Sequence, residues 1–149
     1  MKTNRRSRSP HRSGFTLLEL MLVLFILVTI ASLAVGVLSG QRKAANRQAA
    51  YTYVKLLANA VDQYDAQAGQ PPTTEQGIAA LITKPPELPE GKWAGPYIKA
   101  NATSKDPWGN EYQYASPGRN GSSFDIWSYG PDGADGTGDE IGTWMPSID

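Results

Sequence analysis

The sequence predicts an α+β fold: one long amino-terminal helix, membrane-spanning over its first half, packed by its second half on a small antiparallel sheet. Three observations carry this expectation. Residues 15–38 are almost unbroken apolar sequence, residues 41–68 contain neither proline nor glycine, and two short β-rich stretches near the carboxy terminus flank the turn sequence SPGRNG.

Taken in order, the chain opens with a basic leader. Lys2, Arg5, Arg6, Arg8 and Arg12 stand in the first fourteen residues with no acid among them. The formal net charge of zero, 14 basic against 14 acidic residues, therefore hides a mildly acidic remainder. A nucleic-acid partner is not expected, because a phosphate binder needs a basic face and the body of this chain has none. The chain contains no cysteine, which removes disulfides, a thiolate nucleophile and cysteine-type zinc sites. A small exported domain then needs another staple.

From Leu20 to Leu38 the only polar side chains are Thr29 and Ser32, so the stretch is long enough to cross a hydrocarbon core of about 30 Å as a helix. Five bases precede it, whereas Arg42, Lys43 and Arg47 follow it closely. This bias puts the amino terminus in the cytoplasm. A secretory signal carries its small-residue cleavage site after the apolar run. Here the small residue at the boundary is Gly14, ahead of the run, and a cut there would remove the leader and leave the mature chain beginning at Phe15.

Glu19 is the one acid in the run. An ionised carboxylate at membrane depth costs roughly 2.5–3.5 kcal/mol on insertion scales, so it calls for a partner or a place near the interface. Gly14-Phe15-Thr16-Leu17-Leu18-Glu19-Leu20 resembles the prepilin processing motif of type IV pilins and type II secretion pseudopilins. The resemblance implies cleavage between Gly14 and Phe15 by a membrane prepilin peptidase, followed by N-methylation of Phe15. The new amine at Phe15 would supply the missing cation. In a staggered stack of identical helices, Glu19 of one subunit meets that amine on the next, a pairing that favours assembly and sets its register.

Beyond Gly40 nothing stops the helix before Gly69-Gln70-Pro71-Pro72. Tyr51, Val54, Ala58, Val61 and Tyr64, with Leu57 beside them, recur at spacings of three and four and form one apolar face suited to covering a sheet. A helix over 15–68 would be about 80 Å long. Next comes a proline-punctuated loop containing one short helix, Glu75 to Ile82, capped by Thr73 or Thr74. Glu111 to Ala115 and Phe124 to Ser128 are the strand candidates, forming a hairpin about residues 116–121.

The closing loop SYGPDGADGTGDEIGTW crowds Asp132, Asp135, Asp139 and Glu140 among glycines. Such an array is either a solvated acidic loop or a site for a hard cation, and six to eight oxygen ligands suit calcium better than magnesium. The spacing is not that of an EF-hand. Together with Thr73-Thr74-Glu75-Gln76-Gly77, the run Asp106 to Tyr114, Ser128 to Gly133 and Ile141 to Trp144, the loop resembles the major pseudopilins of type II secretion systems, the general secretion pathway protein G family. The resemblance covers nearly all of the mature chain. It implies a type IV pilin-like fold with a carboxy-terminal calcium loop holding a structural Ca2+ through Asp132, Asp139 and the backbone carbonyl of Tyr129. Asp135 and Glu140 stand as further candidates.

The division of the chain expected on this basis is a cleaved leader over 1–14, a transmembrane and filament-core helix over 15–40 and a periplasmic head over 41–149. The resemblance implies a homo-oligomer that forms a helical filament and meets minor pseudopilins and an inner-membrane assembly platform. The subunit starts in the inner membrane, amino terminus in the cytoplasm, and ends in a periplasmic fibre that helps export folded proteins. A type IV pilin or a minor pseudopilin of a related machine is the alternative; surface pilins often carry a disulfide that this chain lacks. A membrane-anchored hydrolase is the competing class. It is disfavoured because the one histidine, His11, lies in the leader and no serine has a plausible base partner. No P-loop is present, so polymerisation would be driven by a separate ATPase.

Overall fold

The structure, a computed structural model, describes residues 14–99 and 105–146, with side chains at all of these except 33–39. The chain divides between Gln41 and Arg42 into two units. The expected leader over 1–14 lies outside the described residues except for Gly14, and the end of the expected membrane span falls on 33–39.

The first helix, α1, is Leu17–Ala68, beginning two residues later than expected. Thr16 starts it. The Thr16 Oγ1 accepts the backbone N–H of Glu19 at 3.2 Å and its carbonyl accepts that of Leu20 at 3.2 Å. Thr-x-x-Glu is a capping-box sequence, with the acid at the third helical position, near the positive end of the helix dipole. In the first unit every large apolar side chain from Phe15 to Ile30 is exposed, Phe15 by 83% and Phe25 by 68%. Thr29 and Ser32 turn their hydroxyls back onto the carbonyls of Ile26 and Thr29, at 2.8 and 2.9 Å, so neither presents an unsatisfied O–H to an apolar neighbour. Among the described residues no helix is long and apolar enough to cross a membrane; the described side chains of this run end at Ser32.

In the second unit α1 supplies one wall of the core. Val54, Leu57, Ala60, Val61 and Tyr64 are buried against Ala80, Leu81, Ile98, Tyr112 and Ile126. Ala50 and Tyr51 are buried with Ile141. Ala60 belongs to this face, whereas Ala58 sits at its edge, half-buried. The helix stops at Gly69, whose φ of 89° suits glycine and whose N–H reaches the Asp65 carbonyl at 2.7 Å.

The short helix expected over Glu75 to Ile82 is a 3₁₀ helix, Gly77–Leu81. Gly77 has φ +56°, a left-handed step through which an α-helix begun at Glu75 does not continue. Both threonines have work here. Thr73 and Gln76 close a reciprocal pair, with Thr73 N–H donating to Gln76 Oε1 at 3.0 Å and Gln76 N–H to Thr73 Oγ1 at 3.2 Å. Thr74 Oγ1 donates to the Ser116 carbonyl at 3.0 Å and accepts the Ser116 N–H at 2.9 Å, which fastens this segment to the hairpin turn.

The sheet has three antiparallel strands in the order β1 (Gln113–Ala115), β2 (Asp125–Ser128), β3 (Ile141–Gly142). The first two are the expected hairpin, shortened; Glu111 makes only an isolated bridge to Lys105. Register pairs Tyr114 with Ile126, and Trp127 with Gly142. Every residue of β2 is buried. β3 was not expected: two residues leave no period to read, and the strand exists because Ile141 drops into the cluster with Ala50 and Tyr51. It brings the end of the acidic loop back beside β2.

Candidate functional site

Two places hold the residues singled out by the sequence. At the first, Gly14 and Phe15 lie outside any regular element just ahead of α1, and Glu19 lies exposed in its first turn. The capping role of Thr16 was not anticipated, although Thr16 and Glu19 stand at the capping-box spacing. Among the described residues the carboxylate of Glu19 has no basic partner within its own chain; the salt bridge present is Arg119 with Asp135.

The second place is the loop between β2 and β3. Gly130, φ +82°, opens a turn closed by the Gly133 N–H on the Gly130 carbonyl at 3.3 Å. Asp132 Oδ1 accepts the Ala134 N–H at 2.9 Å. From the far side of the loop Asp139 folds back onto this turn. A Cβ on Gly130 would stand 2.5 Å from the Asp139 carbonyl oxygen and 3.0 Å from its Oδ2. The backbone at Tyr129-Gly130 and the Asp139 carboxylate are therefore in direct apposition, with Asp132 two residues further along the same turn.

Asp135 and Glu140 are engaged elsewhere. Both oxygens of Asp135 receive Arg119 Nη1, at 3.0 and 2.9 Å, and the Arg119 guanidinium lies over the Trp127 ring, 4.0 Å from its centroid. The Glu140 carboxylate collects the N–H groups of Gly136, Thr137 and Gly138. Backbone N–H donors, its own first and then those three, hold the Glu140 carboxyl below the usual carboxylate range. Thr137 Oγ1 donates to Asp139 Oδ1 at 2.6 Å. Among the described residues no three histidine, cysteine or acidic side chains gather as a metal cluster, so any cation here would need backbone carbonyls as well as carboxylates.

Two further aspartates that composition did not single out are buried. Asp106 accepts the N–H groups of Trp108 and Asn110 on Oδ1 and the Ser128 hydroxyl on Oδ2. Asp125 accepts Ser122 Oγ, the Asn120 N–H and Thr143 Oγ1. Burial pushes the Asp125 carboxyl upward, yet these donors outweigh it and the group lies below its ordinary value. An Asp-Pro-x-Gly-Asn turn and a Phe-Asp strand start were the signals available for them.

Comparison with known proteins agrees with this architecture. A family model described as type II secretion system (T2SS), protein G, matches residues 37–144, and one for the prokaryotic N-terminal methylation motif matches residues 9–35. The chain is similar to the type II secretion system core protein G of Klebsiella michiganensis, 43% identical over 94% of this chain and 98% of that protein. It is also similar to that of Vibrio cholerae, 46% identical over 89% of this chain and 92% of the other. Among solved structures, the major pseudopilin from the type 2 secretion system of enterohaemorrhagic Escherichia coli matches with a TM-score of 0.60 and 38% identity, covering 72% of this chain and 93% of that one. The fold is thus type IV pilin-like, and the methylation motif together with the secretion family makes the chain an envelope-associated protein. On these matches the chain belongs to the type II secretion system protein G family, the major pseudopilins.

Proposed function

We propose that this chain is cleaved between Gly14 and Phe15, methylated at Phe15 and polymerised into a helical homo-oligomer, the periplasmic pseudopilus that helps export folded proteins. Its divisions are the cleaved leader 1–14, the membrane and filament-core helix 15–40 and the periplasmic head 41–149. The precursor sits in the inner membrane with its amino terminus in the cytoplasm. A prepilin peptidase, minor pseudopilins and an inner-membrane assembly platform are its partners. Its work is structural rather than catalytic.

The observation that carries this reading is the uncovered apolar surface from Phe15 to Ile30. A helix apolar all round has no face to give to water, and only lipid or neighbouring helices can cover it. Glu19 in the first turn would then pair with the Phe15 amine of an adjacent subunit. Amino-terminal sequencing of the mature protein tests the pathway: a first residue of N-methyl-phenylalanine supports it, and a mature chain that still begins at Met1 removes it. The core protein G relatives favour the major pseudopilin over a minor one.

The head is proposed to hold a structural Ca2+ through the carboxylates of Asp132 and Asp139 and the carbonyl of Tyr129. The residues fit a hard cation, since all three donors are oxygens and Gly130 leaves no room for a side chain between the turn and Asp139. Such an ion would tie the irregular loop to the sheet, as a disulfide would in a cysteine-bearing head. A melting temperature of the full chain in detergent that is the same with calcium and with chelator would remove this assignment.

A further inference from the structure

The proposed calcium ligands include one backbone group, the Tyr129 carbonyl, and a backbone ligand serves only if something fixes its direction. We infer that Asp106 is the positioning residue for this carbonyl and that it acts through Ser128. The inference rests on reading residues 129–140 as the cation-binding loop.

Asp106 is buried, 6% exposed, and cannot turn. Its Oδ1 receives the N–H groups of Trp108 at 3.0 Å and Asn110 at 2.9 Å, and its own N–H reaches the Asn110 carbonyl at 2.7 Å. This leaves Oδ2 aimed at Ser128, which is fully buried, and it accepts the Ser128 hydroxyl at 2.6 Å. With its proton committed to Asp106, Ser128 Oγ offers only lone pairs and accepts the Gly130 N–H at 3.0 Å. The polarity of the whole chain is therefore set by a group at its buried end that can only accept.

Gly130 N–H and the Tyr129 carbonyl belong to one peptide unit. That unit is planar and trans, so its N–H and C=O point in opposite directions. Holding the N–H on Ser128 aims the Tyr129 carbonyl away from the buried chain, while the φ of +82° at Gly130 and the Gly133 N–H on its carbonyl hold the rest of the turn. The same supporting turn meets the other end as well: a Cβ on Gly133 would lie 3.2 Å from Asn110 Nδ2. Residues 106–110 thus form the platform on which the 129–133 turn is shaped. Groups that orient metal ligands without touching the metal change affinity by about 10- to 100-fold when removed.

Asp106→Asn keeps the volume and an oxygen for Trp108 and Asn110 but turns an N–H toward Ser128, which leaves the Ser128 proton without its acceptor and frees the hydroxyl to reorient. Ser128→Ala removes the link and serves as a second variant should the first fail to fold. Calcium titration calorimetry on the full chain in detergent micelles is expected to show affinity weakened about tenfold or more in each. The double variant should be no weaker than the worse single, because both break one chain. A merely structural Asp106 would lower the melting temperature in chelator and leave calcium affinity unchanged, and that result overturns the inference. Wild-type protein that binds no calcium overturns the loop reading instead. Amide exchange at Gly130 in calcium-free protein then tests the relay separately: protection lost in Asp106→Asn supports it, and unchanged protection overturns it.

Discussion

Gly130 and Gly136 offer a matched pair of substitutions that separates close approach from backbone strain. Both have φ near +80°, at 82° and 84°, where an L-residue costs about 1–2 kcal/mol relative to glycine. They differ in what a Cβ would meet. At Gly136 nothing lies within 4 Å, whereas at Gly130 the Cβ would stand 2.5 Å from the carbonyl oxygen of Asp139 and 3.0 Å from its carboxylate. The first of these is backbone and cannot rotate away. Gly136→Ala should therefore cost only the conformational penalty, roughly 1–2 kcal/mol. For a head of this size that lowers the melting temperature by about 4–8 °C per kcal/mol.

Gly130→Ala adds a displacement of Asp139 by about 1 Å, the gap between 2.5 Å and ordinary contact at about 3.5 Å. Shifts of this kind in packed regions cost about 1–3 kcal/mol more. They also pull the Asp139 carboxylate off the turn. The decisive assay is calcium titration of both variants as full chains in detergent, with melting curves in calcium and in chelator. Gly136→Ala should keep its calcium-dependent rise in melting temperature and Gly130→Ala should lose most of it. Equal calcium affinity in the two variants would refute the apposition of Asp139 and the Tyr129-Gly130 turn as the binding geometry.

Three further outcomes are expected. Glu19→Ala should abolish filaments seen by electron microscopy while leaving cleavage after Gly14 largely intact, and Glu19→Asp should weaken assembly less; normal filaments from Glu19→Ala would end the pairing proposal. Asp125 titrates below its ordinary value in the fold, so its contribution to stability is present above about pH 4 and is lost as pH falls through the lowered folded value. Denaturant midpoints measured from pH 6 to pH 3 should consequently fall less steeply in Asp125→Asn, from a lower starting point, than in the wild type. Leu57→Ala, at a side chain 1% exposed within the core cluster, should cost about 2–5 kcal/mol by urea unfolding, with no change in calcium affinity.

The parts of the fold that could be read from sequence are those whose physics is local. Apolar continuity from Phe15 onward, the absence of breakers before Gly69 and the three-four spacing of Val54, Leu57, Val61 and Tyr64 each act over one helix. The parts that could not be read depend on distant partners. β3 is two residues long, and Ile141 is buried only because Ala50 and Tyr51 lie beneath it. Asp106 and Asp125 look like ordinary turn acids, and their burial follows from Ser128 and Thr143 arriving from elsewhere in the chain. In the acidic loop, composition gave four carboxylates equal standing. Three-dimensional placement gives each a different partner: Arg119 comes from the hairpin turn to take Asp135 and the loop's own amides take Glu140.

In the proposed assembly Glu19 answers a local and an intermolecular demand together. Thr16 Oγ1 caps the Glu19 N–H, and an acid in the first turn favours the start of a helix by about 0.3–1 kcal/mol through the dipole. That is far below the several kcal/mol of keeping a carboxylate at membrane depth, so capping alone does not account for an acid followed directly by an uncharged apolar run. The local term instead fixes where the carboxylate stands, at the third position of the helix. In the proposed mature chain the new amine at Phe15 stands four residues before Glu19, about one helical turn. On the proposed pairing a neighbouring helix has to shift by about one turn, roughly 5.4 Å, to bring its own amine against Glu19. If that pairing sets the register between subunits, the register follows from the capping turn, and Thr16→Val should blur filament order while sparing cleavage. Filaments of Thr16→Val with the wild-type helical rise and diffraction limit would separate the cap from the register.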